Sequence, residues 1–530
     1  VEQRRGRLWL DAGVAGATAG VLAEVMVYRL NPEVSQTAAS ILVGATMWAT
    51  WGAVGFGLPL FGVAVVVRQI LRRRGGWSVP ALVGLAYLVA GVMSKLNADL
   101  HEHLLSPSAQ LVMHQDAVAW GGGALIALLG GSLVRRRGSA PSLRYGFAVL
   151  LMVLPLIRFL MVSTPPDFPL EVDVRAIGVP ERRSVVVGVE GLDPGVLLGP
   201  ADDPRYSTLA RLRRTGSWGP LKPHRPYLRR AAWTSVATGC YPDQHGVKSR
   251  WGWLLPWLPG EPLRLLPWTP QGSRLILPWG IAERVTPPPA SVPPIWERVR
   301  ASDVSTAVFS WPGIWGPQVA VEKPRPASIA DVDPEVRSSL QWAMEPFSDR
   351  GEVVWTAVLE DSDIVARAVE ALDGGADHVW LSLTGLAAAR QELEPLKSGH
   401  TREREVLAVA LQLLDDHLRG LLEAAGPGTT MVVVSPYGLA PPDSWERLAR
   451  LLGAGDDWRT SAESSPDGLL LMAGVGVSSG TRFAGGRLPD VAPTLCYLLG
   501  LPTAQYMQGG LIVDAVDREF LETHPLRVVD

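Results

Sequence analysis

The stretch Ser184–Pro194, SVVVGVEGLDP, decides the fold of everything that follows it. Val185 to Val189 is an unbroken run of small apolar residues with no polar alternation, as a strand buried on both faces of a parallel sheet requires. The run ends on Glu190, followed by Gly191 and the turn-forming Asp193–Pro194. The predicted strand therefore delivers one carboxylate to its C-terminal end, the edge where open α/β sheets place their ligands.

Downstream, helical and strand patterns alternate. Helical spacing covers Ser207–Thr215, Ala231–Ala237 (ending at Gly239), Ile295–Ala301, Asp363–Leu372, Arg404–Ala424 and Val491–Leu499. Strand patterns fall near Trp218 and at Val304–Ser310, His378–Leu383, Thr430–Ser435 and Gly468–Ala473. This alternation predicts an α/β/α sandwich with a mostly parallel sheet over 184–530.

Upstream the chain is apolar. Five stretches, at about 8–30, 38–71, 80–97, 117–134 and 145–163, have lengths suited to a ~30 Å hydrocarbon core. They make 1–163 an α-helical five-span membrane domain. The second stretch carries Gly55, Gly57 and Pro59 and reads as one kinked helix. The first lacks a small-residue cleavage site and reads as a span, not a signal peptide. Arginine triplets at Arg4/Arg5/Arg7, Arg72–Arg74 and Arg135–Arg137 all fall on one side of a five-span arrangement. The positive-inside rule makes that side cytoplasmic, so the N-terminus is expected inside a cytoplasmic (inner) membrane and the C-terminal domain outside. Prolines 165, 166, 169 and 180 mark 164–183 as a linker.

Glu24, Lys95, Asp116 and Arg158 all fall near the outer ends of these spans. They read either as snorkelling side chains or as a membrane polar cluster, with Glu24 and Arg158 as the candidate pair. Gly16 and Gly20 form a GxxxG step of the kind used in helix packing. His101, Glu102, His103 and His114 lie between spans three and four. They read as a polar loop, with zinc binding the sharper alternative. The 530 residues carry a net charge of −3, so no bulk basic character favours nucleic acid. Mean hydropathy is +0.15, high for a wholly soluble chain. Cys240 and Cys496 form no CxxC or zinc pattern and read as inert.

Several segments together carry a resemblance. VVVGVEGLDPGVL (185–197), STLARLRRTGSWGPLKP (207–223) and AAWTSVATGCYPDQHGV (231–247) come first. PPIWERVRASDVSTAVFSWPG (293–313), HVWLSLTGL (378–386), TMVVVSPYGL (430–439) and LPDVAPTLCYLLGLP (488–502) follow. In this order they resemble the type I phosphodiesterase/nucleotide pyrophosphatase branch of the alkaline phosphatase superfamily. The five-span architecture also resembles lipoteichoic acid synthases and lipid A phosphoethanolamine transferases, but architecture does not fix function.

The resemblance implies in-line displacement at phosphorus by a Ser or Thr hydroxyl, with two divalent metals, zinc or manganese, holding the attacking and leaving oxygens. It also says where those groups should stand. The first-strand aspartate is Glu190, and the nucleophile position is Arg229, which stays protonated. The Asp and His after the 378–383 strand are Ala387 and Gln391. The Asp and His after the 430–435 strand are Pro436 and Tyr437, and the last His is Ser464. His245 matches a structural His-Gly, not a ligand. One carboxylate cannot hold a two-metal site, so no metal or other cofactor is expected, and no catalytic residue. The losses fall on catalytic positions while the scaffold motifs persist, so a pseudoenzyme is the expectation. An altered enzyme using Glu190, Thr234 or Asp361 is the alternative.

Arg229 and Arg230 open a predicted helix, where free N–H groups already favour anions. With Glu190 and Thr234 they are the anion-binding candidates; a salt bridge from Arg229 to Glu190 that closes the site is the competing reading. Finally, Leu-Pro-Trp recurs at 255–257, 266–268 and 277–279 in a Trp/Pro-rich insert over 251–290. Trp257, Trp268 and Trp279 suit a cap on the domain, a foot on the bilayer, or a surface for a partner or glycan. The expected role is binding or scaffolding in the cell envelope, with the bilayer and an envelope protein, anionic lipid or glycan as partners.

Overall fold

The computed structural model describes residues 2–34, 37–70, 79–136, 141–162, 178–198, 204–224, 227–249, 252–267, 283–285, 290–312, 338, 348–393, 401–439 and 466–529. The chain divides into two units. The first comprises Val1–Phe168 and Lys248–Pro287, the second Pro169–Val247 and Pro288–Asp530.

The first unit contains helices α1 (Glu2–Leu30), α2 (Ala38–Gly55), α3 (Gly57–Ile70), α4 (Val79–Leu100), α5 (Pro107–Arg136) and α6 (Pro141–Met161). Among the described residues five stretches are long and apolar enough to cross a membrane: Leu8–Leu30, Ala38–Gly62, Val79–Leu100, Pro107–Leu133 and Ser142–Met161. The second runs across the break at Phe56, because Pro59 has no N–H to give the carbonyl four residues back. The fourth begins ten residues earlier than its hydropathy suggests. His114 therefore lies on α5, not in a loop, and its Nε2 is 3.3 Å from Asp99 Oδ1. The GxxxG step brings two backbones together. A Cβ on Gly20 would lie 2.0 Å from the Trp48 carbonyl, and one on Gly16 2.4 Å from that of Gly52.

The described part of the Trp/Pro insert groups with these helices. Strands β3 (Gly252–Leu255), β4 (Leu258–Leu263) and β5 (Glu283–Val285) form an antiparallel sheet in the order β4-β3-β5. Trp253, Leu255, Trp257, Leu258 and Leu263 join a buried cluster with Ala23, Val27, Tyr28, Val34, Ile41 and Trp48. Trp257 is therefore a core residue of this unit and not an exposed surface for a partner or bilayer; Trp268 and Trp279 lie outside the described residues. Asn31 fixes the insert's backbone. Its Oδ1 accepts from the N–H groups of Arg264 (2.6 Å) and Leu265 (2.9 Å), and its Nδ2 donates to the Leu265 carbonyl (2.8 Å).

In the second unit the sheet is built from β1 (Ser184–Val189), β2 (Ser217–Lys222), β6 (Thr306–Phe309), β7 (His378–Leu383), β8 (Thr430–Ser435), β9 (Gly468–Ala473), β10 (Thr481–Arg482) and β11 (Gly486–Arg487). Its order is β10-β2-β9-β8-β1-β7-β6, with β11 beside β2. β1 is central and parallel to both β7 and β8, β6 is parallel to β7, and β9 runs antiparallel to β8 and β2. The helices are α7 (Pro194–Leu198), α8 (Ser207–Thr215), α9 (Arg229–Thr238), α10 (Pro242–His245), α11 (Ile295–Arg300), α12 (Ser348–Asp373), α13 (Gly385–Leu393), α14 (Thr401–Ala425), α15 (Val491–Leu498) and α16 (Arg518–Thr523). Val186 packs on one face of the sheet with α9, α11 and α15, while Val185, Val187 and Val189 pack on the other with α8, α12 and α14. Both faces of β1 are covered, so its side chains are apolar without alternation.

Candidate functional site

The C-terminal ends of β1, β7 and β8 lie side by side, and the loops leaving them build the site. Glu190 follows β1 directly and is 5% exposed. Gly191 then takes φ +77°, a left-handed turn in which a Cβ would meet Leu439 at 2.6 Å. The chain there bridges to Gly438 beyond β8.

Three protein donors surround the Glu190 carboxylate. Arg229 Nε donates to Oε1 at 2.5 Å and Trp233 Nε1 to the same oxygen at 3.1 Å. The Tyr437 hydroxyl donates to Oε2 at 3.2 Å. Burial pushes the Tyr437 phenol well above its ordinary range and Glu190 adds to the effect, so the phenol keeps its proton and donates. Tyr227 packs tilted against Tyr437, with ring centroids 4.0 Å apart and an interplanar angle of 43°. Behind Trp233, Trp311, Trp380 and Trp296 pack edge to face or tilted at centroid distances of 4.9 to 5.7 Å. Arg229 opens α9 with its side chain 48% exposed, so one face of the guanidinium holds Glu190 while the other meets solvent.

The remaining sequence candidates are placed as follows. Arg230 is half-buried. Thr234 is fully buried, and its hydroxyl donates to the Arg230 carbonyl at 2.7 Å. Its proton is thus committed within α9 and does not face an anion. Ala387 is buried beside Gly191, and Gln391 is exposed. Pro436 and Tyr437 are buried, and Ser464 lies outside the described residues. Asp361, reaching from α12, accepts from the N–H groups of Thr384 and Gly385 at 2.8 Å each and so caps the start of α13. Burial raises its carboxyl to about 7, against the pull of those two hydrogen bonds.

These residues do not fit a pair of divalent cations. A metal needs converging lone pairs, whereas Glu190 is ringed by N–H and O–H donors. Among the described residues no group of three or more His, Cys, Asp or Glu side chains converges on one point.

Arg390 on α13 was not singled out by sequence reasoning. Its Nη1 donates to the Gly191 carbonyl and to Asp193 Oδ2, both at 2.6 Å, and its Nη2 donates to the Leu439 carbonyl at 2.9 Å. One buried guanidinium thus ties together the loops after β1, β7 and β8. The available signal was the Asp in GLDP, a buried-turn carboxylate in need of a cation. A second missed group is His224–Ser235–His245, all buried. His245 Nδ1 accepts from the Val247 N–H at 3.1 Å, so its Nε2 carries the proton and donates to Ser235 Oγ at 3.0 Å. Ser235 then donates to His224 Nε2 at 2.9 Å. This chain of hydrogen bonds braces α9 from the side opposite Glu190's donors. Cys240 and Cys496 are buried free thiols, pushed up to about 12 by burial.

In the membrane-helix unit Glu24 and Arg158 do not pair. Asp116 takes Arg158 Nε at 2.6 Å and Arg29 Nε at 2.8 Å, and Lys95 pairs with Asp99 one helical turn away. Arg29, reached from α1, was missed because it falls at the end of an apolar run. Glu24 is fully buried near the Tyr28 hydroxyl and Trp257 Nε1, all three within 3 Å of where a Cβ on Gly44 would lie.

The profile of the type I phosphodiesterase/nucleotide pyrophosphatase family matches residues 184–474, more than half of the chain. The chain belongs to that family. Similar curated proteins include the 2,3-bisphosphoglycerate-independent phosphoglycerate mutases of Cereibacter sphaeroides strains, 27% identical over 154 residues, or 29% of this chain. The chain spans only about a quarter (27%) of the length of those relatives. Among solved structures, human ectonucleotide pyrophosphatase/phosphodiesterase 5 aligns at 12% identity and a TM-score of 0.38, covering 63% of this chain and 100% of that one. Wild-type alkaline phosphatase PafA aligns at 13% identity and a TM-score of 0.41, covering 64% and 100%.

Proposed function

We propose that this family member is a membrane-anchored binding or scaffolding component of the cell envelope that no longer hydrolyses phosphodiesters. The observation that carries this reading is Arg229 on Glu190: a guanidinium stands at the position that the resemblance assigns to the nucleophile, and it neutralises the one carboxylate left to ligate a metal. An arginine cannot attack phosphorus, because its guanidinium stays protonated. The five apolar stretches are the candidate anchor, and by the positive-inside rule the arginine triplets favour a cytoplasmic N-terminus and an α/β unit outside. The outward face of Arg229 offers two-point contact to an anionic head group or glycan. An envelope protein is the other partner class for this role, and the net charge of −3 favours no nucleic acid.

The test measures bound zinc and manganese in the purified full chain by elemental mass spectrometry, alongside turnover of a chromogenic phosphodiester. The expected result is neither bound metal nor turnover. Near-stoichiometric metal together with turnover that is lost in Glu190→Gln would refute the proposal and establish an active enzyme with a non-standard site.

A further inference from the structure

We infer that Arg158 forms, with Arg29 and Asp116, a site for the phosphate of an anionic lipid head group. The three side chains come from α6, α1 and α5. Asp116 is 1% exposed and receives both guanidiniums, Arg29 Nε on Oδ2 at 2.8 Å and Arg158 Nε on Oδ1 at 2.6 Å. Arg29 is equally buried. Its Nη1 donates to the Val162 carbonyl at 2.7 Å, and its guanidinium lies 4.6 Å from the centre of the Phe159 ring. Its place is therefore fixed by the end of α6.

Two positive charges meet one negative charge. Lys95, Asp99 and His114 form a separate group, and Glu24 faces Tyr28 and Trp257, so neither supplies the missing anion. A net charge in a low-dielectric setting is costly unless an opposite charge accompanies it. The surplus belongs to Arg158, because its side chain is 29% exposed whereas the Arg29–Asp116 pair is sealed. Beyond its bond to Asp116, Arg158 has no partner among the described residues.

What surrounds Arg158 identifies the anion. Ile157, Leu160 and Met161 on the same last turns of α6 are 43%, 60% and 80% exposed, an apolar surface suited to acyl chains. A guanidinium at the end of such a helix reaches the head-group layer, where its remaining Nη groups can take two phosphate oxygens. Asp116 holds Nε and so turns those Nη groups outward. The ligand is thus a phosphate carrying net negative charge, supplied by the bilayer.

This inference rests on the membrane placement proposed above but not on the state of the Glu190 site. The assay reads lipid alone, so its failure leaves the metal and turnover results standing. The full chain is reconstituted in nanodiscs of phosphatidylcholine, with and without phosphatidylglycerol, and thermal unfolding is followed. Phosphatidylglycerol should raise the midpoint. Arg158→Gln should lose that rise, read as the difference between its own midpoints with and without phosphatidylglycerol, whatever the lost bond to Asp116 Oδ1 costs its midpoint in pure phosphatidylcholine. Arg158→Lys, which keeps the charge, should retain part of the rise and guards against a folding defect in the glutamine variant. No rise in the natural chain, or an equal rise in Arg158→Gln, overturns the inference. So does an equal rise from inorganic phosphate in pure phosphatidylcholine discs, which would make the ligand a free ion.

Discussion

Replacing Arg390 with methionine tests whether a protein cation holds the strand ends together. The guanidinium is 9% exposed and its partner Asp193 is 12% exposed, so the pair is shielded from solvent. Methionine retains most of the apolar stem but leaves the Asp193 carboxylate without its cation and the Gly191 and Leu439 carbonyls without their donors. Removing one partner of a buried pair costs ~3–5 kcal/mol, because the other charge is left uncompensated. Asp193 keeps one bond, from the Val196 N–H at 3.0 Å, which points to the lower end of that range. The loss is local, so it should be read by hydrogen exchange with mass spectrometry on the full chain in detergent. Peptides covering 188–197 and 433–439 should exchange about a hundredfold faster or more, since every 1.4 kcal/mol is about a factor of ten. Peptides from α15, on the opposite face of the sheet from α13, should not change. Adding Asp193→Asn should recover part of the protection, with a coupling of ~1–3 kcal/mol. Acceleration below tenfold at both loops, or strand-end protection that collapses when a chelator is added to the natural chain, would refute the reasoning.

Three further outcomes follow from single contacts. Asn31→Ala strands the N–H groups of Arg264 and Leu265, at ~1–3 kcal/mol each if they stay buried; limited proteolysis of the full chain should then cut within 252–265 much faster. Gly20→Ala should prevent α1 from packing on α2 and abolish monodisperse material in size-exclusion chromatography. Gly13→Ala, where an added Cβ meets nothing within 4 Å, should be tolerated. Burial lowers His378 to about 4 and likewise half-buried His417, while it raises Asp361 to about 7. Below about pH 6.5 the unfolded chain takes up protons at the two histidines that the folded chain refuses, so stability falls on acidification through about 4. Asp361 acts oppositely: its folded form keeps a proton that the unfolded chain releases, so its contribution falls as pH rises towards 7. Each group shifts stability by at most about 1.4 kcal/mol per pH unit. Denaturation of Asp361→Asn between pH 4.5 and 6 should therefore show a steeper acid loss than the natural chain, and His378→Asn a shallower one. Equal slopes in all three would contradict the assignment.

The parallel sheet was legible because its strands announce themselves: SVVVGV, HVWLSL and TMVVVS are apolar on both faces, and each forms a strand with the bounds its pattern suggests. Family membership was legible for the same reason, since scaffold motifs are local strings. Helix lengths were less so. Ser348–Asp373 is far longer than the Asp363–Leu372 pattern, because its first half packs with α13 and α14 in a small cluster around Val354 and Val358 that periodicity over ten residues does not reveal. The insert's grouping with the apolar helices was not legible, because Trp253 and Trp257 say only that they need an apolar surface. Which surface is fixed by Asn31, more than 220 residues earlier. Pairings such as Arg390 with Asp193 and Arg29 with Asp116 join distant positions, and no spacing rule reaches them.

Those pairings explain how the strand ends are held together by protein groups alone. The ends of β1, β7 and β8 gather a carboxylate, helix starts and free carbonyls at one edge, and such an edge requires positive charge to stay closed. In this chain the charge is built into side chains. Arg229 neutralises Glu190, Arg390 neutralises Asp193 while binding two carbonyls, and Tyr437 and Trp233 supply neutral donors. A guanidinium is never deprotonated and cannot dissociate, so the edge keeps its shape whatever the supply of metal. In-line displacement at phosphorus needs open coordination positions, which fixed donors around a carboxylate do not offer. On the proposed reading, closure of the edge and loss of the reaction would be two consequences of one exchange, lone pairs given up for fixed donors.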